Sequence, residues 1–278
     1  MRRSLFYSLL LMMIFISGQL QAALSWTAHI PESSKVKKAE KKSGEHNHNA
    51  RNKGKSFFLQ DSIDAKAEIW LPTLEHRPLD VSETGIVKVT GTGFDNYHLL
   101  YARRQLEGHD EMALRYQYMR GKPSGESPRL LVGHGKGALE IKPSPLTREH
   151  RRYQSGDTAM FSLTLNNEQL KLQPVILTTS NETKIYLQTD NKGQLAVTLP
   201  EDFNNIKSGR RNNRPAEFTL RSSITRNDTK YQTTLNADYH VNPSHWQSRA
   251  GGGLTILFGF IGGLMVLRHV RSRETDHA

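Results

Sequence analysis

The chain has 278 residues, 38 Lys and Arg against 27 Asp and Glu for a net charge of +11, and no cysteine. Without cysteine there is no disulfide framework, no thiol nucleophile and no thiolate metal site. A basic chain raises nucleic acid as a partner, but residues 31–56 alone hold eight Lys or Arg against three Glu, +5 of the overall +11; the excess reads as a solvated tail beside anionic lipid, with no nucleic acid.

In chain order, MRRSLFYSLLLMMIFISGQLQAALSW opens with a basic pair, Arg2 and Arg3, then an apolar run over residues 5–16 and a small-residue stretch. That order predicts a secretory signal peptide over residues 1–22, cleaved after Ala22 or Ala23. Residues 23–56 follow as a basic tail. Its 31–56 stretch has almost no apolar side chains to offset ordering entropy, so disorder is expected. From residue 57 the hydrophobic period is two. Met112, Leu114, Tyr116 and Tyr118 alternate with Ala113, Arg115 and Gln117; Phe161, Leu163 and Leu165 repeat the pattern; so do Tyr231 to Val241. These are half-buried strands. Turn clusters (ETG, GTGFDN, GKPSGESP, LNNEQ, TDNKG) separate them closely, which predicts an all-β chain of immunoglobulin- or transthyretin-like β-sandwich domains. Two prolines and a charged turn in ALEIKPSPLTREHRRYQSGD place a boundary, giving a first β domain over 57–138 and a second over 139–243. Within the second, Asp190 to Gly193 is expected as a hairpin loop, with glycine at the positive-φ position.

The C-terminal part carries no charge from Ala250 to Leu267. Eighteen helical residues rise roughly 27 Å, enough with flanking residues to cross a hydrocarbon core of about 30 Å. Arg268, Arg271 and Arg273 follow at once, which places the tail 268–278 in the cytoplasm. Gly259 and Gly263 have the GxxxG spacing that permits helix dimerisation. Signal, external body and one anchor describe a single-pass type I protein of the bacterial inner membrane, its body in the periplasm.

The order LEIKPSPL, YQSGDTAMFSLTLNNEQLKLQPVIL and LQTDNKGQLAVTLPEDF, over residues 139–203, resembles carboxypeptidase-regulatory and transthyretin-like β-sandwich modules. More narrowly it is similar to envelope domains of unknown function associated with nickel and cobalt uptake. The resemblance implies a sandwich fold and, as an alternative function, periplasmic handling of nickel, cobalt or copper.

For metal, the candidates are the imidazoles His46 and His48 of an H-N-H tripeptide in the tail, and His98; divalent metals favour imidazole, but a site needs three or four converging ligands. Surface histidines are the plain alternative. GHGKG at residues 133–137 lacks the frame of a phosphate loop and reads as a turn. There is no G-x-S-x-G and no cysteine, so no enzyme is expected. Tyr97, His98 and Arg115 lie in the polar aromatic stretches FDNYHLLYARR and RYQYMRGKPSG, candidate ligand contacts on adjacent strands. The long loop EDFNNIKSGRRNNRPAEF carries Lys207, Arg210, Arg211 and Arg214, cations suited to an anionic partner; a solvated connection is the alternative. The expected function is a non-enzymatic, membrane-anchored envelope protein that binds a partner protein or small ligand, with nutrient uptake as one role. Metal handling is the alternative, and a hydrolase of envelope material a third.

Overall fold

Alternating stretches of the sequence become strands, and their pairing decides the rest. The computed structural model describes residues 23–28, 54–147, 152–247, 256 and 258–266. The expected signal segment, most of the basic tail with His46 and His48, and the tail 268–278 lie outside the described residues.

The described chain is mostly β. A three-stranded antiparallel sheet has the order β1 (Ser25–Thr27), β2 (Lys55–Gln60), β5 (Ile86–Val89). A long sheet runs through β14 (Lys184–Gln188), β13 (Pro174–Thr179), β16 (Ala216–Arg226), β17 (Thr229–His240), β7 (His109–Met119), β6 (Phe94–Leu106), β3 (Lys66–Trp70) and β4 (His76–Leu79). Two short strands join its path, β10 (Tyr153–Gln154) on β17 and β8 (Lys122–Pro123) on β6. The third sheet contains β12 (Glu168–Gln169), β11 (Thr158–Leu165) and β15 (Gln194–Thr198), with β9 (Leu139–Pro143) also on β11. A short helix, α1 (Pro128–Gly133), is capped by the Ser127 side chain.

The long sheet is covered on opposite faces. Leu100, Ala102 and Ala113 pack with Trp26, Phe57, Leu59, Val87 and Val89 of the three-stranded sheet. Their neighbours in sequence, Leu99, Tyr101, Met112 and Leu114, pack with Leu139, Phe161, Leu163, Leu195 and Val197 of the third. Successive side chains of a strand point to opposite faces, so β6 and β7 are buried on both sides and are not the half-buried strands their alternation suggests. Each large side chain so buried contributes about 1.5–3 kcal/mol.

Three expectations are corrected. A cut at 138/139 runs through one hydrogen-bonded sheet, because β17 pairs in parallel with β7 from Lys230↔His109 to Leu235↔Leu114. Side chains from both sides of the cut share one core. Residues 23–28 belong to the fold, not to the tail: Leu24 and Trp26 are each 1% exposed, and β1 pairs with β2 through Trp26↔Leu59. Apolar burial of Leu24 and Trp26 offsets the cost of ordering this short strand. Finally, TDNKG does not close a hairpin. β14 pairs with β13 and β15 with β11, so the turn carries the chain from one sheet to another. Gly193 has the expected positive φ of 71°, and the Asp190 carboxylate accepts from the backbone N–H of Lys192 and of Gln194. Those bonds hold its acid below the usual carboxylate range, Gln194 first.

Helical backbone is described at 256 and 258–266, and every described side chain on it is exposed. No helix among the described residues is long and apolar enough to cross a membrane; the expected span 250–267 lies partly outside them.

Candidate functional site

The parallel register of β7 and β17 sets Arg115 beside Asn236, and β16 sets Glu217 opposite Asp238. Three adjacent strands thus bring one guanidinium to two carboxylates and an amide. Arg115 is 2% exposed. Its Nη1 donates to Glu217 Oε1 at 2.9 Å and to Asn236 Oδ1, and its Nη2 to Asp238 Oδ1 at 2.6 Å. The guanidinium also stands 5.5 Å over the Phe57 ring. Glu217 receives the Thr27 hydroxyl and, at 2.6 Å, the Ala28 N–H, which clamps β1 onto the long sheet. The buried Arg115 Nε has no hydrogen-bond partner in the structure.

Above this network opens a cleft of about 770 Å³. Lys55 and Val89 bound it from the three-stranded sheet, Tyr97 and Tyr118 from β6 and β7, Tyr153 of β10 with Arg152 just before it, and Arg210 from the 201–215 loop. Its lining holds five cationic side chains, Lys55, Arg115, Arg120, Arg152 and Arg210, against one carboxylate, Asp238. Arg115 already engages that carboxylate, so the remaining cations face each other. Their fields are visible in each other's acidities. Lys55 is exposed as a whole residue, but its ammonium is held below the ordinary lysine range by lost hydration in the cleft and by Arg115, Arg120 and Arg152, against the pull of Asp238. Arg152 is lowered by burial and by Arg210, again against Asp238.

His240 reports the same field. Arg152 Nη1 lies 3.2 Å from His240 Nε2; the guanidinium can only donate, so this ring nitrogen accepts and the imidazole is neutral. Burial, then Arg152 and Arg210, push its pKa from 6.5 down to about 4, with Asp238 opposing. The unfolded chain therefore binds this proton first as pH falls. Stability from the neutral ring is fully present above about pH 6.5 and is lost as pH falls towards about 4. Discounted for solvent screening, the loss is about 2 kcal/mol. Urea denaturation at pH 7 and pH 4.5 should show His240→Gln losing that much less than the native chain. Equal losses would place the acid sensitivity elsewhere.

The structure sorts the residues singled out from sequence. Tyr97, Arg115 and Arg210 meet in the cleft. Lys207, Arg211 and Arg214 are exposed and do not line it. Their loop folds around Asn213, whose side chain bonds Lys207 N and O and Gly209 O. At its base Asp202 accepts from Tyr239 at 2.5 Å and Thr179 at 2.7 Å. His98 is fully buried, its Nε2 2.6 Å from Thr92 Oγ1 and its Nδ1 3.1 Å from Asn96 O. Both ring nitrogens are engaged, so His98 is a core histidine. Among the described residues no group of three His, Asp or Glu side chains is placed to hold a metal ion. GHGKG begins on the last residue of α1, and its Lys136 side chain is fully buried, donating to the carbonyls of Leu131 and His134. It ties down the end of the helix.

Sequence reasoning missed Lys55, Arg120, Arg152, Asp238 and His240 as site residues. Arg120 stood inside a stretch already marked as polar and aromatic. Arg152 lay in a charged turn whose place in space depends on the parallel pairing of β10 with β17, Gln154↔His240.

No protein-family model matches the chain, and no curated protein does. Among solved structures it is similar to a Ca2+-stabilized adhesin that helps an Antarctic bacterium reach out and bind ice, at TM-score 0.24 and 12% identity over 68% of this chain and 43% of that one. A 1.5-MDa bacterial ice-binding adhesin, described for host cell surface retention, matches at TM-score 0.22 and 12% identity over 68% of this chain and 56% of that one. The chain spans about half the length of either. Likenesses this low carry no argument, and neither speaks to nickel or cobalt uptake or to transthyretin-like modules.

Proposed function

We propose that this chain is a non-enzymatic, exported envelope protein of immunoglobulin-like sandwich architecture that holds an anionic ligand or partner group in the Lys55–Arg120–Arg152–Arg210 cleft. The observation that carries this reading is the concentration of cations around a single carboxylate that is already engaged. Like charges held together in a cleft repel, and an anion relieves them. Arginine suits that role because its planar fork matches carboxylate and phosphate oxygens. The N-terminal pattern supports export. The uncharged 250–267 stretch and its following arginines support a single inner-membrane anchor with the body in the periplasm, and the exposed apolar side chains at 256 and 258–266 fit a lipid environment.

Inorganic pyrophosphate, titrated by calorimetry into the full chain in phosphatidylcholine nanodiscs at low salt, tests the reading. Saturable binding is expected, about tenfold weaker in Arg120→Ala/Arg210→Ala and with a flatter salt dependence, since screened contacts are lost. Arg211→Ala/Arg214→Ala, outside the cleft, should bind as the native chain does. Both exposed pairs should change stability by about 0.5 kcal/mol or less per substitution. Absence of saturable binding, or equal weakening in both variants, would remove the cleft from consideration.

A further inference from the structure

Beside the basic cleft lies a second chamber of about 930 Å³ with a different character. It is walled by Pro128 and Val132 of α1, by Pro123, by Pro143 at the end of β9, and by Pro145 and Leu146 of the segment that follows. Its charged side chains are Asp95, Glu126 and Arg129, so acid outnumbers base there. The two chambers share a wall: Tyr97, Tyr118, Pro143, Leu146 and Thr147 line both. The wall is braced by the edge-to-face contact of Tyr97 and Tyr118, with ring centroids 5.3 Å apart, and by the 2.8 Å bond between Tyr97 and Thr147 hydroxyls. Asn96 fixes the far side, donating to Ser124 Oγ and to Glu126 O at 2.8 Å each.

We propose that the two chambers form one site for an anionic amphiphile, its charged head among Lys55, Arg120, Arg152 and Arg210 and its apolar tail across the Tyr97–Leu146 wall against Val132 and the prolines. The proposal rests on the anion reading of the cleft and adds the tail. Charge sets the orientation. Lys55, Arg120, Arg152 and Arg210 attract the head to the first chamber, while Asp95 and Glu126, against the single Arg129, disfavour it in the second. Each chamber lies within the roughly 300–1,000 Å³ usual for small-ligand sites. A polyanion without apolar surface would leave the proline-walled chamber unused, and a neutral apolar molecule would leave the cations repelling one another. The anionic head could belong to a membrane lipid or to a soluble acyl compound; the chemistry recognised is the same.

The test uses the full chain in phosphatidylcholine nanodiscs, titrated with pyrophosphate, butyl phosphate, octyl phosphate and octyl glucoside, with empty nanodiscs subtracted. A fully buried methylene is worth about fourfold in affinity, so octyl phosphate should bind at least about tenfold more tightly than butyl phosphate. Octyl glucoside, with the same tail and no charge, should bind at least about tenfold more weakly than octyl phosphate. Val132→Asn, polar but uncharged, should abolish the chain-length gain and leave pyrophosphate affinity unchanged, which also shows the variant to be folded. Repeating the octyl phosphate titration with the chain in nanodiscs that contain phosphatidic acid separates the two sources: a weaker apparent affinity means that the membrane lipid competes for the site, and an unchanged affinity points to a soluble ligand. Equal affinity for butyl and octyl phosphate, with pyrophosphate still bound, overturns the tail and spares the anion cleft. Failure of every phosphate to bind overturns both readings. Octyl glucoside binding as tightly as octyl phosphate overturns the need for a charged head.

Discussion

Arg115→Ala is expected to cost the folded protein about 3–5 kcal/mol, the range for breaking a buried ion pair from one side. The loss comes less from the missing attraction than from what stays behind. Glu217 and Asp238 would keep their charges without the guanidinium that faces them. Glu217 also holds Thr27 and Ala28, so the damage should reach β1. Arg115→Lys should fall short of rescue, because one ammonium cannot reproduce a fork that spans Glu217, Asn236 and Asp238. Arg115→Met combined with Glu217→Gln should recover part of the loss by removing an unpaired charge, and a double-mutant cycle measures that coupling. Urea denaturation followed by tryptophan fluorescence is the measurement. A cost below about 1 kcal/mol for Arg115→Ala would mean the carboxylates find water or other partners. Because Arg115 supports the fold as well as the floor of the cleft, the binding experiments use Arg120 and Arg210 instead.

The second large effect is expected at the amino-terminal strand. Trp26 is 1% exposed and packs among Phe57, Leu59, Val87 and Val89. Trp26→Ala should therefore cost about 3–5 kcal/mol in lost transfer free energy and a residual cavity. Trp26→Phe should cost much less. It keeps most of the apolar area and removes an indole N–H that is buried without a partner in the structure. The same denaturation series decides the point. Near-native stability of Trp26→Ala would show that β1 contributes little to the folded body, and that the residues following the expected signal segment belong to the tail after all.

Much of the local structure was legible. Alternation found β7, β11 and β17 but began each two or three residues late, because the period of two marks the buried interior of a strand better than its ends. The positive φ at Gly193 followed from turn chemistry. What misled was the next level. TDNKG between two alternating runs looks the same whether the runs pair with each other or with strands of different sheets, since the turn residues satisfy only the local backbone. The polar tail likewise hid an ordered beginning, because three residues of β1 are too few for a periodic signal and are held by tertiary partners.

By itself, then, the sequence determined that the chain is built of strands, where its turns lie, that an uncharged apolar run lies near each end, and that its cations exceed its acids. Only the tertiary structure decided which cations meet. Arg115 and Asn236 are 121 positions apart, and their contact depends on a parallel pairing of β7 with β17. Backbone hydrogen bonds make that pairing, and they are the same for every residue type. Side-chain periodicity reports which face a residue takes along its own strand and carries no record of the strand beside it. The cleft exists because two such pairings, β7 on β17 and β10 on β17, converge at the carboxyl ends of β7 and β17; that convergence turned a scattered basic composition into a local excess of positive charge.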